Sequence, residues 1–277
     1  MKKKLLARAL VLVFAFAMTA CGSSSDSGDN STGGTLVMAT NATFPPYEFV
    51  DGDDYSGIDV EMAQAIAEKL GMELEIQDID FNSIITAVES GKADVGIAGM
   101  TKTEEREKNV NFSEPYAKAV QVIVVNEGSK ITGPDDLADA MIGVQDSTTG
   151  HIYCEEDYGE DHVTAYPSGP NAIEALKSGK VDAVVIDNEP AKAYVAANEG
   201  LKILDTEYVE EEYAIAIAKD NEELLEQVNG ALAELNEDGT LQGIIDKYIK
   251  AESFGKREYK EGGTGYAGDA RKMSDFH

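Results

Sequence analysis

The chain has 277 residues, and its 52 Asp and Glu side chains against 23 Lys and Arg give a formal net charge of −29 at pH 7. A surface of this sign repels nucleic acid and anionic lipid, which excludes a nucleic-acid-binding protein. The length is sufficient for two lobes of about 100 residues each.

The first 20 residues have the pattern of a secretory signal. A basic start that ends with Arg8 precedes an apolar stretch over 9–20. This stretch is too short to span a bilayer, which needs about 20 residues. We therefore expect 1–20 to be a signal peptide.

The segment that ends at Cys21 resembles a bacterial lipobox, although Met18 stands where Leu is usual. Residues 22–34 have no apolar side chain, so 21–34 is predicted to be a lipidated cysteine followed by a flexible tether. A signal peptide without lipidation is the alternative. Only Cys154 remains after Cys21, so no intramolecular disulfide is possible in the lipidated protein.

From residue 35 onward strand-like and helix-like segments alternate, which is typical of an α/β fold. A stripe of Val60, Ala63, Ala67 and Leu70 followed by Gly71 indicates one amphipathic helix and its end. In this first set the pattern predicts strands at 36–40, 72–76 and 94–98 and helices at 59–70 and 82–90. That order predicts a parallel sheet with crossover helices.

A second set of alternating elements begins near Val120. It predicts strands at 121–125, 141–145, 163–166 and 183–186, and helices at 149–155, 171–178 and 189–197, with Pro190 in the first turn of the last. An alternating strand at 213–218 would return the chain to the first lobe, ahead of helices at 222–235 and 241–249.

Two crossings between the sets imply a hinge. The predicted organisation is a first lobe over 35–118, a second lobe over 119–213, and a return to the first lobe over 214–250. Residues 251–277 are rich in Gly and nearly free of aliphatic side chains, so they are predicted to be a disordered tail.

The segment from Gly96 to Arg106 has the pattern of a binding site. Gly99 allows close approach of the backbone to a ligand, and Thr101 and Thr103 offer hydroxyls. Thr103 also suits the N-cap of a short helix that carries Arg106. A guanidinium matches a carboxylate with two parallel hydrogen bonds, which predicts a small carboxylate ligand. The alternative is a surface Arg paired with Glu104 or Glu105.

Four motifs carry a resemblance to a known family. They are TNATFPPY at 40–47 with GID at 57–59, AGMTKTEEREKNVNFSEPY at 98–116, VQDSTTG at 144–150, and VDAVVID at 181–187. Over residues 36–250 the chain resembles the amino-acid-binding proteins of ABC importers, the bacterial extracellular solute-binding proteins of family 3. The resemblance implies a periplasmic-binding-protein-like fold of type II, with two α/β lobes joined by a two-strand hinge.

The resemblance also implies a site between the lobes. Arg106 matches the residue that binds the α-carboxylate of an amino acid, and Thr101 matches a hydroxyl and amide donor. The carbonyl of Gly99 matches an acceptor for the α-ammonium, and the adjacent Met100 is included in the predicted site. In the second lobe, Thr148 and Thr149 match a helix N-terminus that receives the carboxylate, and Asp187 matches the counter-ion of the α-ammonium. For Asp187 alone, an N-cap role is the alternative.

Selectivity is expected at the ligand's side chain. Phe44 and Phe81 match two aromatic walls, although both could instead belong to the core. Asn41 stands where relatives selective for lysine and arginine carry Asp, which favours a polar neutral ligand. A basic ligand stays open, because Asp146 or Glu189 near the mouth could supply the missing charge.

The expected protein is a monomeric, lipid-anchored receptor on the extracellular face of the bacterial cell membrane, with no cofactor and no enzymatic activity. Its partners would be an ABC permease and its ATPase. The alternative is an enzyme of the same fold that resembles a cyclohexadienyl or prephenate dehydratase. His151 and Cys154, three residues apart, are only a weak indication of zinc.

Overall fold

The computed structural model describes residues 33–249. The predicted signal peptide, the lipidation site at Cys21, most of the tether and the predicted tail therefore lie outside the described residues. In the described part, no helix has the length and apolar character needed to cross a membrane.

Thirteen strands and eight α-helices are present within residues 33–249. The strands are β1 (Thr35–Thr40), β2 (Thr43–Phe44), β3 (Glu48–Asp51), β4 (Asp54–Ser56), β5 (Glu73–Asp78), β6 (Val95–Gly96), β7 (Val110–Phe112), β8 (Ala117–Asn126), β9 (Ile142–Gln145), β10 (Val163–Tyr166), β11 (Ala183–Asp187), β12 (Leu201–Tyr213) and β13 (Ala216–Ala218). The helices are α1 (Ile58–Leu70), α2 (Ile84–Glu89), α3 (Glu104–Glu107), α4 (Thr149–Tyr158), α5 (Gly169–Lys177), α6 (Asn188–Ala197), α7 (Glu222–Glu237) and α8 (Thr240–Tyr248).

The first five-stranded sheet defines lobe 1 and has the order β5-β1-β6-β13-β7. Strands β5 and β6 pair in parallel with β1, as the alternation predicts, whereas β13 is antiparallel to both β6 and β7. The parallel pairing predicted for the first set of strands is therefore confirmed. The antiparallel strand β13 belongs to the segment that returns from the other lobe.

Helix α1 covers lobe 1 with the predicted stripe. Val60, Ala63 and Ala67 are buried, while Leu70 is half-buried at the C-terminal end. Gly71 adopts a left-handed conformation with φ of 67°, and its N–H closes the helix onto the carbonyls of Ala67 and Glu68. The helix therefore ends where a residue without a Cβ accepts this conformation at low cost.

The second five-stranded sheet defines lobe 2 and has the order β10-β9-β11-β8-β12. Strand β9 is parallel to β10 and β11, and β8 is antiparallel to both β11 and β12. Helices α4, α5 and α6 connect or follow these strands. The carboxyl ends of β9 and β11 thus lie side by side, which places Gln145 and Asp187 at one edge.

Two paired strands, β8 and β12, carry the chain between the lobes. Their register runs from Leu201 opposite Asn126 to Tyr213 opposite Ala117, with irregularities on both sides of Glu207. The predicted strand 213–218 is therefore wrong as a single element. Tyr213 ends β12, and the chain turns through Ala214, whose N–H donates to the carbonyl of Met100, before β13 begins.

A small three-stranded sheet of β2, β3 and β4 was not predicted. Its strands have only two to four residues, and Pro45 and Pro46 lie between β2 and β3, so the sequence gives little periodic signal. The predicted strand 94–98 is also shorter than expected. Only Val95–Gly96 is a strand, because the chain bends away at Gly99, where φ is 51°.

Candidate functional site

A narrow cleft lies between the two sheets, and its empty volume of about 320 Å³ includes space that is open to solvent. Nine of the ten predicted ligand-binding residues line it: Asn41, Phe44, Phe81, Gly99, Thr101, Arg106, Thr148, Thr149 and Asp187. Glu48, Ala98 and Gln145 complete the lining.

Met100 is the predicted residue that does not line the cleft. Its side chain is fully buried in the core of lobe 1, beside Val110 and Ala216. Because successive residues of an extended segment face opposite sides, Met100 points into the core when Gly99 and Thr101 face the cleft. Its carbonyl is used to anchor the returning chain at Ala214.

Arg106 is held at the cleft by a short helix and two carbonyl groups. Thr103 caps α3 and accepts a hydrogen bond from the Arg106 N–H at 3.2 Å, as predicted. The guanidinium donates to the carbonyl of Thr101 at 2.6 Å and to the carbonyl of Ser147, in the other lobe, at 3.1 Å. A guanidinium has five N–H donors, so others remain for a ligand.

The charge of Arg106 persists despite its environment. Burial lowers its pKa to about 10, and the carboxylates of Glu211 and Asp187 oppose that effect. Its carbon Cζ lies 5.4 Å from the centre of the Phe81 ring, a cation–π distance. Among the described residues it forms no ion pair with Glu104 or Glu105, so the surface-pair alternative does not hold.

Asp187 ends β11 and stands at the N-cap position of α6, but its side chain makes no capping hydrogen bond. Its carboxylate instead accepts a hydrogen bond from Gln121 Nε2 at 3.2 Å, and the residue is buried. Burial, followed by the charge of Glu211, raises its pKa to about 8. The charge of Arg106 lowers this pKa but does not offset burial, so the ammonium of a ligand would supply a closer cation.

The N-terminus of α4 faces the same cleft. Thr148 caps it by accepting from the His151 N–H at 3.3 Å and donating its own hydroxyl to the carbonyl of Gln145 at 2.8 Å. The first backbone N–H groups of a helix have no partner within the helix, and they attract anions. Thr149, buried at the first helical position, presents this end to the cleft.

Gly99 is required at the floor of the cleft by sterics. Its φ of 51° is left-handed, and a Cβ there would lie 2.9 Å from the Phe44 ring. Its N–H donates to Asp59 at 2.8 Å, which also accepts from Tyr116. The predicted acceptor role of the Gly99 carbonyl stays a prediction.

Two amides lie at the end of the cleft predicted for the ligand's side chain. Gln145 Nε2 donates to Asn41 Oδ1 at 3.1 Å, across the lobes, while Asn41 Nδ2 donates to the carbonyl of Ile79. Thr43 donates to the same Asn41 oxygen. Burial, and then the charge of Asp59, raise the pKa of Glu48 well above its usual value. Among residues 33–249, Glu48 is the one acid besides Asp187 that lines the cleft.

The two acids expected near the mouth do not supply a charge to the cleft. Asp146 accepts a hydrogen bond from Asn82 Nδ2 at 2.8 Å on the rim. Glu189 is buried and pairs with Lys192 at 2.5 Å. Neither lines the cleft.

Residues 36–251 match the bacterial extracellular solute-binding proteins, family 3. The chain belongs to this family. The arginine-binding extracellular protein ArtP of Bacillus subtilis (strain 168) is 37% identical over 260 residues, which cover 90% of this chain and 99% of ArtP. The lobes and the two crossing strands are the type II arrangement of periplasmic binding proteins.

Two solved structures of an ancestral arginine-binding protein are each 45% identical to the chain. The structure with bound glutamine has a TM-score of 0.75 and covers 78% of this chain and 97% of its own. The structure with bound arginine has a TM-score of 0.74 and covers 78% of this chain and 98% of its own.

Four hydrogen bonds between the described residues join the lobes of this family member across the cleft. They are Gln145 to Asn41, Arg106 to the Ser147 carbonyl, Asn82 to Asp146, and the Tyr194 hydroxyl to the Thr43 carbonyl. Because these hydrogen bonds span the cleft, the lobes are in contact with each other, and we call this the closed arrangement.

Sequence reasoning missed Gln145, Glu48 and Glu211. Gln145 is the last residue of a predicted strand beside the cleft, so its position was a usable signal. Glu211 lies in a run of three Glu residues that reads as solvent-exposed. Over residues 33–249, no group of three or more His, Cys, Asp or Glu side chains is arranged to hold a metal ion.

Proposed function

We propose that this solute-binding protein is a receptor that captures one L-amino acid between its lobes and delivers it to an ABC permease with its ATPase. The observation that carries the proposal is that Arg106 from lobe 1 and Asp187 from lobe 2 line the same cleft. A half-buried cation and a buried carboxylate on opposite walls of the cleft are complementary to the two charges of a zwitterion. The N-terminus of α4 adds a second donor set for the carboxylate.

The ligand we propose is an amino acid whose long side chain ends in a hydrogen-bond donor, with glutamine ahead of arginine. The relatives named above bind arginine or were solved with arginine or glutamine. The oxygen of the Gln145 amide is an acceptor at the side-chain end, and Asn41 and Gln145 carry no counter-charge. A neutral amide therefore loses less on desolvation there than a cationic side chain.

A melting screen tests this proposal. A ligand that binds only the folded protein raises the free energy of unfolding by about 2.7 kcal/mol at 100 times its Kd, or several degrees in melting temperature. We expect L-glutamine to give the largest shift, ahead of L-arginine and L-lysine. N-acetylated and amidated glutamine should give none, because each lacks one of the two charges. A screen without any amino-acid shift contradicts the proposal.

The same screen separates a receptor from an enzyme. A dehydratase of this fold would be stabilised by prephenate or arogenate and would release an aromatic product. The combination of Arg106 with Asp187 supports the receptor, because a dicarboxylate substrate would place a second negative charge against Asp187. Product formation from either acid contradicts the receptor proposal.

We also propose that Cys21 anchors the receptor on the extracellular face of the membrane. A diacylglyceryl group with an added fatty-acid chain supplies membrane affinity that the protein lacks once the signal is cleaved. In a bacterial host that processes lipoproteins, Cys21→Ser should move the protein from the membrane to the soluble fraction, while the Cys154→Ser control, which keeps Cys21, should stay with the membrane. Equal membrane retention of both variants contradicts the anchor.

A further inference from the structure

Glu211 is a buried acid that the site described so far does not use. It lies on the crossing strand β12, opposite Ala119 of β8. Glu210 and Glu212 beside it are exposed, because alternate residues of a strand face opposite sides, whereas Glu211 is only 2% exposed. Its side chain therefore points into the molecule at the base of the cleft.

Neither carboxylate oxygen of Glu211 has a hydrogen bond of good geometry, although the side chains of Thr101, Thr149 and Gln121 lie around it. A buried carboxylate left in this condition destabilises the folded state. Such a residue is expected where it interacts with groups that move or bind.

Its three neighbours come from three parts of the molecule. Thr101 belongs to lobe 1, Thr149 to lobe 2, and Gln121 to the other crossing strand. Gln121 Nε2 lies 3.4 Å from Thr149 Oγ1, so the Thr149 hydroxyl accepts there and is left to donate its own hydrogen to Glu211. Both threonines also line the ligand cleft.

We propose that Glu211 is a positioning residue for the ligand. Its carboxylate is placed to accept hydrogen bonds from the hydroxyls of Thr101 and Thr149, one from each lobe, and so to stabilise the closed arrangement with both threonines oriented at the cleft. When the lobes separate, one carboxylate on the connecting strand can no longer reach both hydroxyls. Because both threonines belong to the amino-acid site, this role rests on the function proposed above.

The charges around Glu211 agree with this role. Burial raises its pKa, while the hydroxyls of Thr101 and Thr149, followed by the charge of Arg106, act in the opposite direction. The charge of Glu211 in turn raises the pKa values of three neighbouring groups, Asp187, Tyr153 and Tyr213. The ionised form is favoured by the closed lobes, because closure supplies the donors.

The distance between the lobes is the direct measurement. Spin labels on cysteines at the exposed Glu75 of lobe 1 and Glu174 of lobe 2 report closure in the full chain with Cys21→Ser, since Cys154 is fully buried. We expect Glu211→Gln to reduce the short-distance population with and without L-glutamine. Glu210→Gln, an equal charge change at an exposed neighbour, should match the wild type.

Binding and stability complete the test. Glu211→Gln should weaken L-glutamine binding about tenfold or more, which corresponds to the loss of a charge-assisted hydrogen bond. Melting of the ligand-free variant should equal or exceed the wild type, because a buried charge is removed. The double variant Thr149→Val with Glu211→Gln should bind L-glutamine almost as well as whichever of the two single variants binds it less tightly.

Four results overturn the role: unchanged binding in Glu211→Gln, an unchanged distance distribution, a lower melting temperature as its only effect, or a wild type without a short-distance population. Full additivity of Thr149→Val with Glu211→Gln removes Thr149 as its route. If neither L-glutamine nor L-arginine binds the wild type, the proposed ligand is wrong. The ligand-free distances of Glu211→Gln against Glu210→Gln then still decide the role of Glu211.

Discussion

Lobe 1 and lobe 2 contribute to the cleft by different means. Lobe 1 supplies side chains from short or irregular segments, such as Phe81 in a 3₁₀ turn and Arg106 in a four-residue helix. Lobe 2 supplies the ends of regular elements, the first turn of α4 and the last residue of β11. In the proposed site, recognition by lobe 1 would thus depend on individual side chains, and recognition by lobe 2 more on backbone groups at a helix start.

The largest effect is expected in lobe 1, at Arg106. Arg106→Ala leaves the ligand carboxylate short of its charged partner in a closed cleft, a loss of about 2–5 kcal/mol of binding free energy. Calorimetry with L-glutamine should show it. Lys102→Ala is the matched control, because Lys102 forms an exposed pair with Glu107 and its loss should cost under about 1 kcal/mol. Similar affinities of the two variants would remove Arg106 from the site.

The next largest loss of binding is expected in lobe 2, at Asp187, which is proposed to act through its charge. Asp187→Asn should weaken binding by about 1.5–3 kcal/mol, because a charge-assisted hydrogen bond to the ammonium is lost. Calorimetry at pH 8 measures it. Asp182→Asn is the control, since the Asp182 carboxylate accepts from the Met141 N–H at an exposed position.

The pH dependence of Asp187 sharpens this prediction. Its pKa is raised from about 3.9 in the unfolded chain to about 8 in the ligand-free protein, so the folded state holds more protons between these values. The contribution of Asp187 to the free energy of unfolding of the ligand-free protein is therefore lost as the pH rises from about 4 to 8. Ligand affinity should rise toward pH 8, and Asp187→Asn should flatten both profiles. Parallel profiles in the two proteins would contradict the assignment.

A smaller effect concerns selectivity in lobe 1. Asn41→Asp adds a negative charge at the side-chain end and should shift preference toward L-arginine by about 1 kcal/mol, the difference between a charged and a neutral hydrogen bond. The variant also loses the hydrogen bond from Asn41 Nδ2 to the Ile79 carbonyl, so affinity for L-glutamine should fall. Competition between the two ligands gives the ratio of their affinities. If Asn41→Asp leaves this ratio unchanged, the side chain of the ligand does not lie beside Asn41.

The smallest effect on binding is expected at Thr148 in lobe 2. Thr148→Ala removes the cap of α4 and should lower stability by about 1 kcal/mol. Binding should change less than about threefold, because the N–H groups of the helix remain. Thr148→Ser, which keeps a capping hydroxyl, should restore the melting temperature. A large loss of affinity in Thr148→Ala would mean that lobe 2 also relies on side chains.

The same contrast explains what the sequence could predict. Regular elements in both lobes follow from apolar periodicity and from stops such as Gly71, and Arg106 was recognisable from the small residues and the cap before it. Met100 was placed in the site because sequence proximity does not specify which side of the chain faces the cleft. Glu211 was missed because a run of three acids on a strand has no apolar alternation, and its burial depends on partners from both lobes.

Paired strands also determine how the molecule moves. Because β8 and β12 pair with each other at the crossing, from Glu211 opposite Ala119 to Tyr213 opposite Ala117, we expect the two connections to bend together. Lobe motion would then be close to rotation about a single axis. Occupancy of the cleft would be expressed as one angle, which a partner could detect only by touching both lobes at once.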